Sequence, residues 1–147
     1  MSFQLPSEET LRKMIEWEWQ DHFQTRAQTW KALEVVSVLA IAVVGLDWQV
    51  GNLYVTCAAA VLLLIVAQFG IEITKRHRKV EQRAFQLIIK YEGLLGIEEE
   101  GFKAPGPLGW LDIFRVSKSS TSLFIMRMHF FVQVFAISYV AGRLLAM

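Results

Sequence analysis

The chain has 147 residues, 54% of them hydrophobic, and a formal net charge of +1. That length suits one domain, but a soluble domain of this size could not bury so much apolar surface, so the composition points to a membrane protein. The single cysteine, Cys57, excludes an intramolecular disulfide, and one Cys with three scattered His excludes a structural zinc site.

The chain opens on the polar, acidic stretch MSFQLPSEET, which does not read as a cleaved signal peptide. An amphipathic helix is expected over residues 7–30. Pro6 and Ser7 start it, and Glu8 and Glu9 suit the positive end of its dipole. Leu11, Ile15, Trp19, His22, Phe23, Arg26 and Trp30 recur along one face at three- and four-residue steps. A first membrane span follows over residues 31–48, with the core VVSVLAIAVVGL. The turn DWQVGN then leads into a second span over residues 53–73, so the two spans are expected to form an antiparallel hairpin.

The second span ends in Lys75, Arg76, Arg78 and Lys79, packed around His77. The turn between the spans carries no Lys or Arg. Lys/Arg-rich segments stay cytoplasmic, so this basic collar reads as a stop-transfer signal and a lipid-headgroup contact. The N-terminus is then cytoplasmic and the C-terminus outside, in a bacterial inner membrane. A second cytoplasmic helix is expected over residues 74–95, with the stripe Ile73, His77, Val80, Ala84, Leu87, Ile88, Tyr91 and Leu95, and with Gly93 and Gly96 at its end. The two cytoplasmic helices read as a stalk continuing from the paired spans. Ile15, Trp19, Phe23, Trp30, Val80, Ala84, Leu87 and Tyr91 are its expected packing residues, within one chain or between copies. Residues 97–120 read as a loop, IEEEGFKAPGPLG, followed by an interfacial segment around Trp110, Leu111, Ile113, Phe114 and Val116, and then by the capping run SKSST. The third span is expected over residues 123–145.

Glu34, Gln68, Arg127 and His129 fall roughly 20–25 Å from the outer ends of their spans at 1.5 Å per residue, with Glu72 lower, near the cytoplasmic edge. Such groups at membrane depth usually face protein or water and pair, so they are expected to form a polar layer with Glu34 opposite Arg127. Snorkelling of Glu34 and Arg127 to the inner headgroups is the competing reading. No catalytic motif, phosphate loop or metal-ligand cluster is present in the sequence, so neither an enzyme nor a cofactor is expected. The acidic residues around Trp17 and Trp19 argue against nucleic acid as a partner.

The segments RAQTWKALEVVSVLAIAVV and RHRKVEQRAFQLIIKYEG occur in the order amphipathic helix, tight two-span hairpin, long basic helix. In this the chain resembles the SLATT group of bacterial two-span membrane effector domains, over about residues 8–95. The resemblance implies oligomerisation and membrane perforation in conflict systems, and it carries over no catalytic residue. The third span lies outside it. The sequence therefore leads to an all-α membrane protein with three transmembrane helices and a helical stalk. It is expected to act as a homo-oligomeric pore or channel-like effector, with membrane lipid around it. The alternative is a non-catalytic scaffold or regulatory subunit whose stalk docks a cytoplasmic protein partner.

Overall fold

The computed structural model describes residues 6–97, 103–115 and 120–146. The acidic triplet of the loop and residues 116–119, which include Val116 and most of the SKSST run, lie outside the described residues. The described residues are all-α: α1 (Glu8–Val50), α2 (Leu53–Leu94) and α3 (Thr121–Leu145), with one short 3-10 helix, Trp110–Phe114. Each expected pair of cytoplasmic helix and span is one unbroken helix, of 43 residues in α1 and 42 in α2. Neither segment contains a proline to remove a backbone donor, so nothing stops the helix between its polar and apolar halves.

The helix ends follow from local chemistry. The Ser7 hydroxyl accepts from Thr10 N at 3.3 Å and caps α1. Between α1 and α2, Gly51 takes φ 63° and donates to Asp47 O, and the Asn52 side chain then accepts from Tyr54 N at 2.9 Å. One residue thus closes α1 and the next caps α2. At the far end of α2, Gly96 (φ 71°) donates to Gly93 O while Ile97 N reaches Glu92 O, a Schellman ending. Ser120 caps α3 by accepting from Leu123 N.

Each α-helix contains a segment long and apolar enough to cross a membrane, and only 22–33% of the residues of those segments are buried inside the protein. Whereas the length alone suggests one domain, the chain divides into two compact units. One comprises residues 1–27 and 77–107, and the other residues 28–76 and 108–147.

In the first unit, α1 and α2 meet along Leu11, His22, Ala84 and Ile88, all buried. Trp19 stands edge-on to Phe85 with centroids 5.5 Å apart, and His22 does the same at 5.1 Å. His22 Nδ1 lies 3.5 Å from Glu81 Oε1, and Arg78 pairs with the other oxygen of Glu81 at 2.6 Å. Of the expected packing stripe, Ile15, Trp19, Leu87 and Tyr91 are half-buried here, whereas Phe23 and Val80 are exposed. Phe23 follows the buried His22 by one residue, about 100° around the helix, and so turns outward.

Burial holds His22 below its ordinary pKa, against the opposing pull of Glu81, and burial lowers His77 as well. In the window below the ordinary histidine value the unfolded chain therefore binds more protons than the folded one, and stability rises with pH. The first unit is expected to melt more readily at pH 5.5 than at pH 8. His22→Gln should flatten that dependence, as measured by thermal unfolding at the two pH values.

In the second unit, α2 buries Thr56, Ala60, Leu63, Ala67, Ile71 and Thr74 at steps of three and four residues. Small side chains on this face let helix backbones approach closely. Val36 and Ala136 join Ala60, Leu63 and Ala67 in one apolar cluster, and Ile71, Ile113 and Met126 form another. Trp30, an expected stalk residue, lies in this unit with its ring 6.1 Å from that of Phe124.

Candidate functional site

The densest polar constellation of the second unit lies where α1 turns into α2. Asp47, buried at 7% exposure, accepts from the Thr56 hydroxyl on one carboxylate oxygen and from the Tyr139 hydroxyl, at 2.7 Å, on the other. Arg143 Nε stands 3.0 Å from that second oxygen, an ion-pair distance, although its N–H is not aligned for a hydrogen bond. One carboxylate from α1 thus collects a hydroxyl from α2, and a hydroxyl and a guanidinium from α3. Buried charge is tolerated when it is paired and hydrogen-bonded, and this carboxylate is both. The sequence alone places Asp47 in the turn DWQVGN and gives it no partner. The available signal was that Asp47 and Arg143 are opposite charges near the same end of the expected bundle.

A second polar group spans α2 and α3. Gln133 Nε2 donates to Gln68 Oε1 at 3.1 Å, Gln68 Nε2 to Glu72 Oε1 at 3.4 Å, and Lys75 Nζ to the same Glu72 oxygen at 2.9 Å. Lys75 also stands 4.8 Å over the Trp110 ring. The sequence pointed to Gln68 and Glu72 but missed Gln133. Gln68 and Glu72 also line a shallow groove with Leu64, Ile65 and Phe69.

The expected single polar layer is not assembled. Arg127 does not face Glu34. Its Nε donates to Ile113 O at 3.0 Å and its Nη2 to Arg115 O at 2.7 Å, so it closes the carbonyl end of the 3-10 helix. Glu34 is exposed and makes no ion pair or hydrogen bond among the described residues. His129 is fully buried with neither ring nitrogen hydrogen-bonded, and its ring fills the space that Gly70 leaves by lacking a side chain. The guanidinium is taken up by the two backbone carbonyls that lie beside it.

The basic collar is likewise divided. Arg76 and Lys79 are exposed. Lys75 is held by Glu72 and Trp110, and Arg78 by Glu81 and the carbonyl of Gly106, 3.2 Å from its Nε. Gln82 donates to Pro105 O at 2.8 Å beside it. Two of the four expected headgroup residues therefore serve local structure, because acids lie three residues away on their own helix. No group of three or more metal-ligating side chains occurs among the described residues. Comparison with protein-family models, curated proteins and solved structures gives no match for this chain.

Proposed function

We propose that this is an integral membrane protein that acts as a homo-oligomeric pore or channel-like effector, as the SLATT resemblance implies. The observation that carries the reading is Glu34. It is an unpaired carboxylate on the outer surface of an apolar helical segment. A charge on the lipid face of a span is unfavourable even one turn inside it, so such a group belongs against headgroups, water or a neighbouring chain. Three helices cannot enclose an aqueous path by themselves, whereas several copies with Glu34 turned inward can. The half-buried Gln68, Gln133 and Glu72 set provides further polar surface at membrane depth. The positive-inside pattern favours the N-terminus in the bacterial cytoplasm and the C-terminus outside, because the single Arg143 is outweighed by Lys75, Arg76, Arg78 and Lys79 at the other end. The first unit is then the cytoplasmic hairpin stalk.

Protein reconstituted in vesicles is expected to release an entrapped small dye, and Glu34→Gln is expected to change the ion selectivity of that leak. A strictly monomeric detergent-solubilised protein, or vesicles that stay sealed, would remove the pore. The exposed aromatics Trp17 and Phe23 favour the scaffold as the second reading. Sealed vesicles together with a stable complex on a cytoplasmic protein would establish it.

A further inference from the structure

The 3-10 helix of the second unit is turned inside out. Its one acidic residue, Asp112, is buried at 6% exposure, with a carboxylate oxygen accepting from Gly109 N at 2.9 Å. Its large apolar side chains are outside: Leu111 is 74% exposed, Phe114 63% and Trp110 41%. A helix of three residues per turn eclipses positions three apart, so Leu111 and Phe114 form one outward ridge, while Trp110 and Ile113 share the line that turns towards α2. In water, covering a carboxylate while exposing such a ridge is unfavourable.

The ridge is firmly held. Ile113 packs with Ile71 and Met126, Phe114 stands edge-on to Phe130 with centroids 5.3 Å apart, and Arg127 donates to the carbonyls of Ile113 and Arg115. These contacts also fix its level. Ile71 lies near the end of the apolar run of α2, and Lys75, which stands 4.8 Å over the Trp110 ring, opens the basic collar. The 3-10 helix is therefore level with the change from apolar to basic sequence. In the membrane reading above, that is the depth of the headgroups, where Trp rings settle. Charge beside the ridge agrees. The backbone of Arg115 is fixed on both sides, its N–H donating to Asp112 O and its carbonyl accepting from Arg127. Its side chain is 61% exposed, with only a 3.5 Å contact to Asp112. An exposed cation next to an exposed apolar ridge is complementary to a phospholipid surface, which offers phosphate above hydrocarbon.

We propose that Leu111, Phe114 and Arg115 form a lipid-binding wedge in the cytoplasmic leaflet, occupied by anionic phospholipid. The ridge lies among the upper acyl carbons, and the Arg115 guanidinium takes phosphate oxygens. Ile113, expected among the interfacial residues, is instead the inward anchor of the wedge. The inference rests on the membrane reading and not on the pore.

Spin labels test it in the full chain carrying Cys57→Ser, reconstituted in phosphatidylcholine vesicles with or without phosphatidylglycerol, with helix content confirming that each variant folds. Labels at Leu111→Cys and Phe114→Cys are expected to be relaxed by oxygen, which partitions into lipid. They should be shielded from a water-soluble nickel chelate several-fold better than a label at Gln86→Cys, an exposed site in the first unit. Phosphatidylglycerol is expected to increase the shielding, and Arg115→Glu to abolish that increase. Labels as open to the chelate as the one at Gln86 would overturn the wedge. Shielding from both reagents would also overturn it, by assigning the ridge to protein contact. Shielding indifferent to phosphatidylglycerol would overturn the part given to Arg115. A label at Ile41→Cys, at an exposed site in the apolar segment of α1, separates the two kinds of failure. If it too is open to the chelate, the membrane reading falls. If it is shielded while residues 111 and 114 are not, only the wedge does.

Discussion

Gly70→Ala is expected to destabilise the second unit by about 1–3 kcal/mol, the usual cost of overpacking a tight core. A Cβ at that position would stand 2.3 Å from His129 Cε1 and 2.6 Å from each ring nitrogen. A side chain that reaches solvent could swing aside, but the imidazole is fully buried and lies among packed neighbours. The Thr74 hydroxyl already donates to Gly70 O at 2.8 Å, which further fixes the backbone there. His129→Ala alone should also be destabilising, since it leaves a cavity. In the Gly70→Ala background, however, the same substitution is expected to recover part of the loss, because it removes the atoms that the new methyl strikes. Denaturant-induced unfolding of the four proteins in a double-mutant cycle measures this coupling. Simple additivity would show that the approach of α2 to α3 does not depend on this pair.

The second large effect is expected at Asp47. Asp47→Ala removes the acceptor of two hydroxyls and the counter-ion of Arg143 in one step. The loss should exceed that of Tyr139→Phe or Thr56→Val, each of which leaves the carboxylate with its other partners. Asp47→Asn, which keeps one acceptor oxygen, should fall between. Exchanging the charges, as Asp47→Arg with Arg143→Asp, should not rescue stability. The Thr56 and Tyr139 hydroxyls donate to a carboxylate, and at this position a guanidinium offers only donors. Thermal midpoints of the purified variants rank these effects. An Asp47→Ala midpoint no lower than that of Tyr139→Phe would mean that the cluster does not act as a unit.

The Asp47 cluster ties one end of α1, α2 and α3 together. Toward the other end Ile71, Leu123, Met126 and His129 are fully buried, so the helices are closely packed there as well.

Much of the secondary structure was legible in the sequence because it rests on local rules. Apolar runs of span length, Gly51-Asn52 between them, Gly96 after α2 and Ser7 before α1 each act over a few residues, and the helices begin and end at these signals. The contact face of the first unit was readable only in part: of the expected packing residues Ala84 is buried and Ile15, Trp19, Leu87 and Tyr91 are half-buried, whereas Phe23 and Val80 are exposed. The functional side chains were less legible. Depth along a span can be counted from the sequence, and it put Glu34 and Arg127 in one layer. The direction in which each points around its helix depends on how the helices are rotated against one another, and that rotation is a property of the packed bundle.

The sequence by itself determined three long apolar helices, their caps and the asymmetric placement of basic charge, since these depend on chain-local propensity, hydrophobic length and composition. Only the tertiary structure decided that Asp47 collects Thr56, Tyr139 and Arg143, that Gln68 meets Gln133, and that Arg127 holds backbone while Glu34 faces outward. These pairs join residues as much as 92 positions apart, and close packing selects among many partners of equal depth.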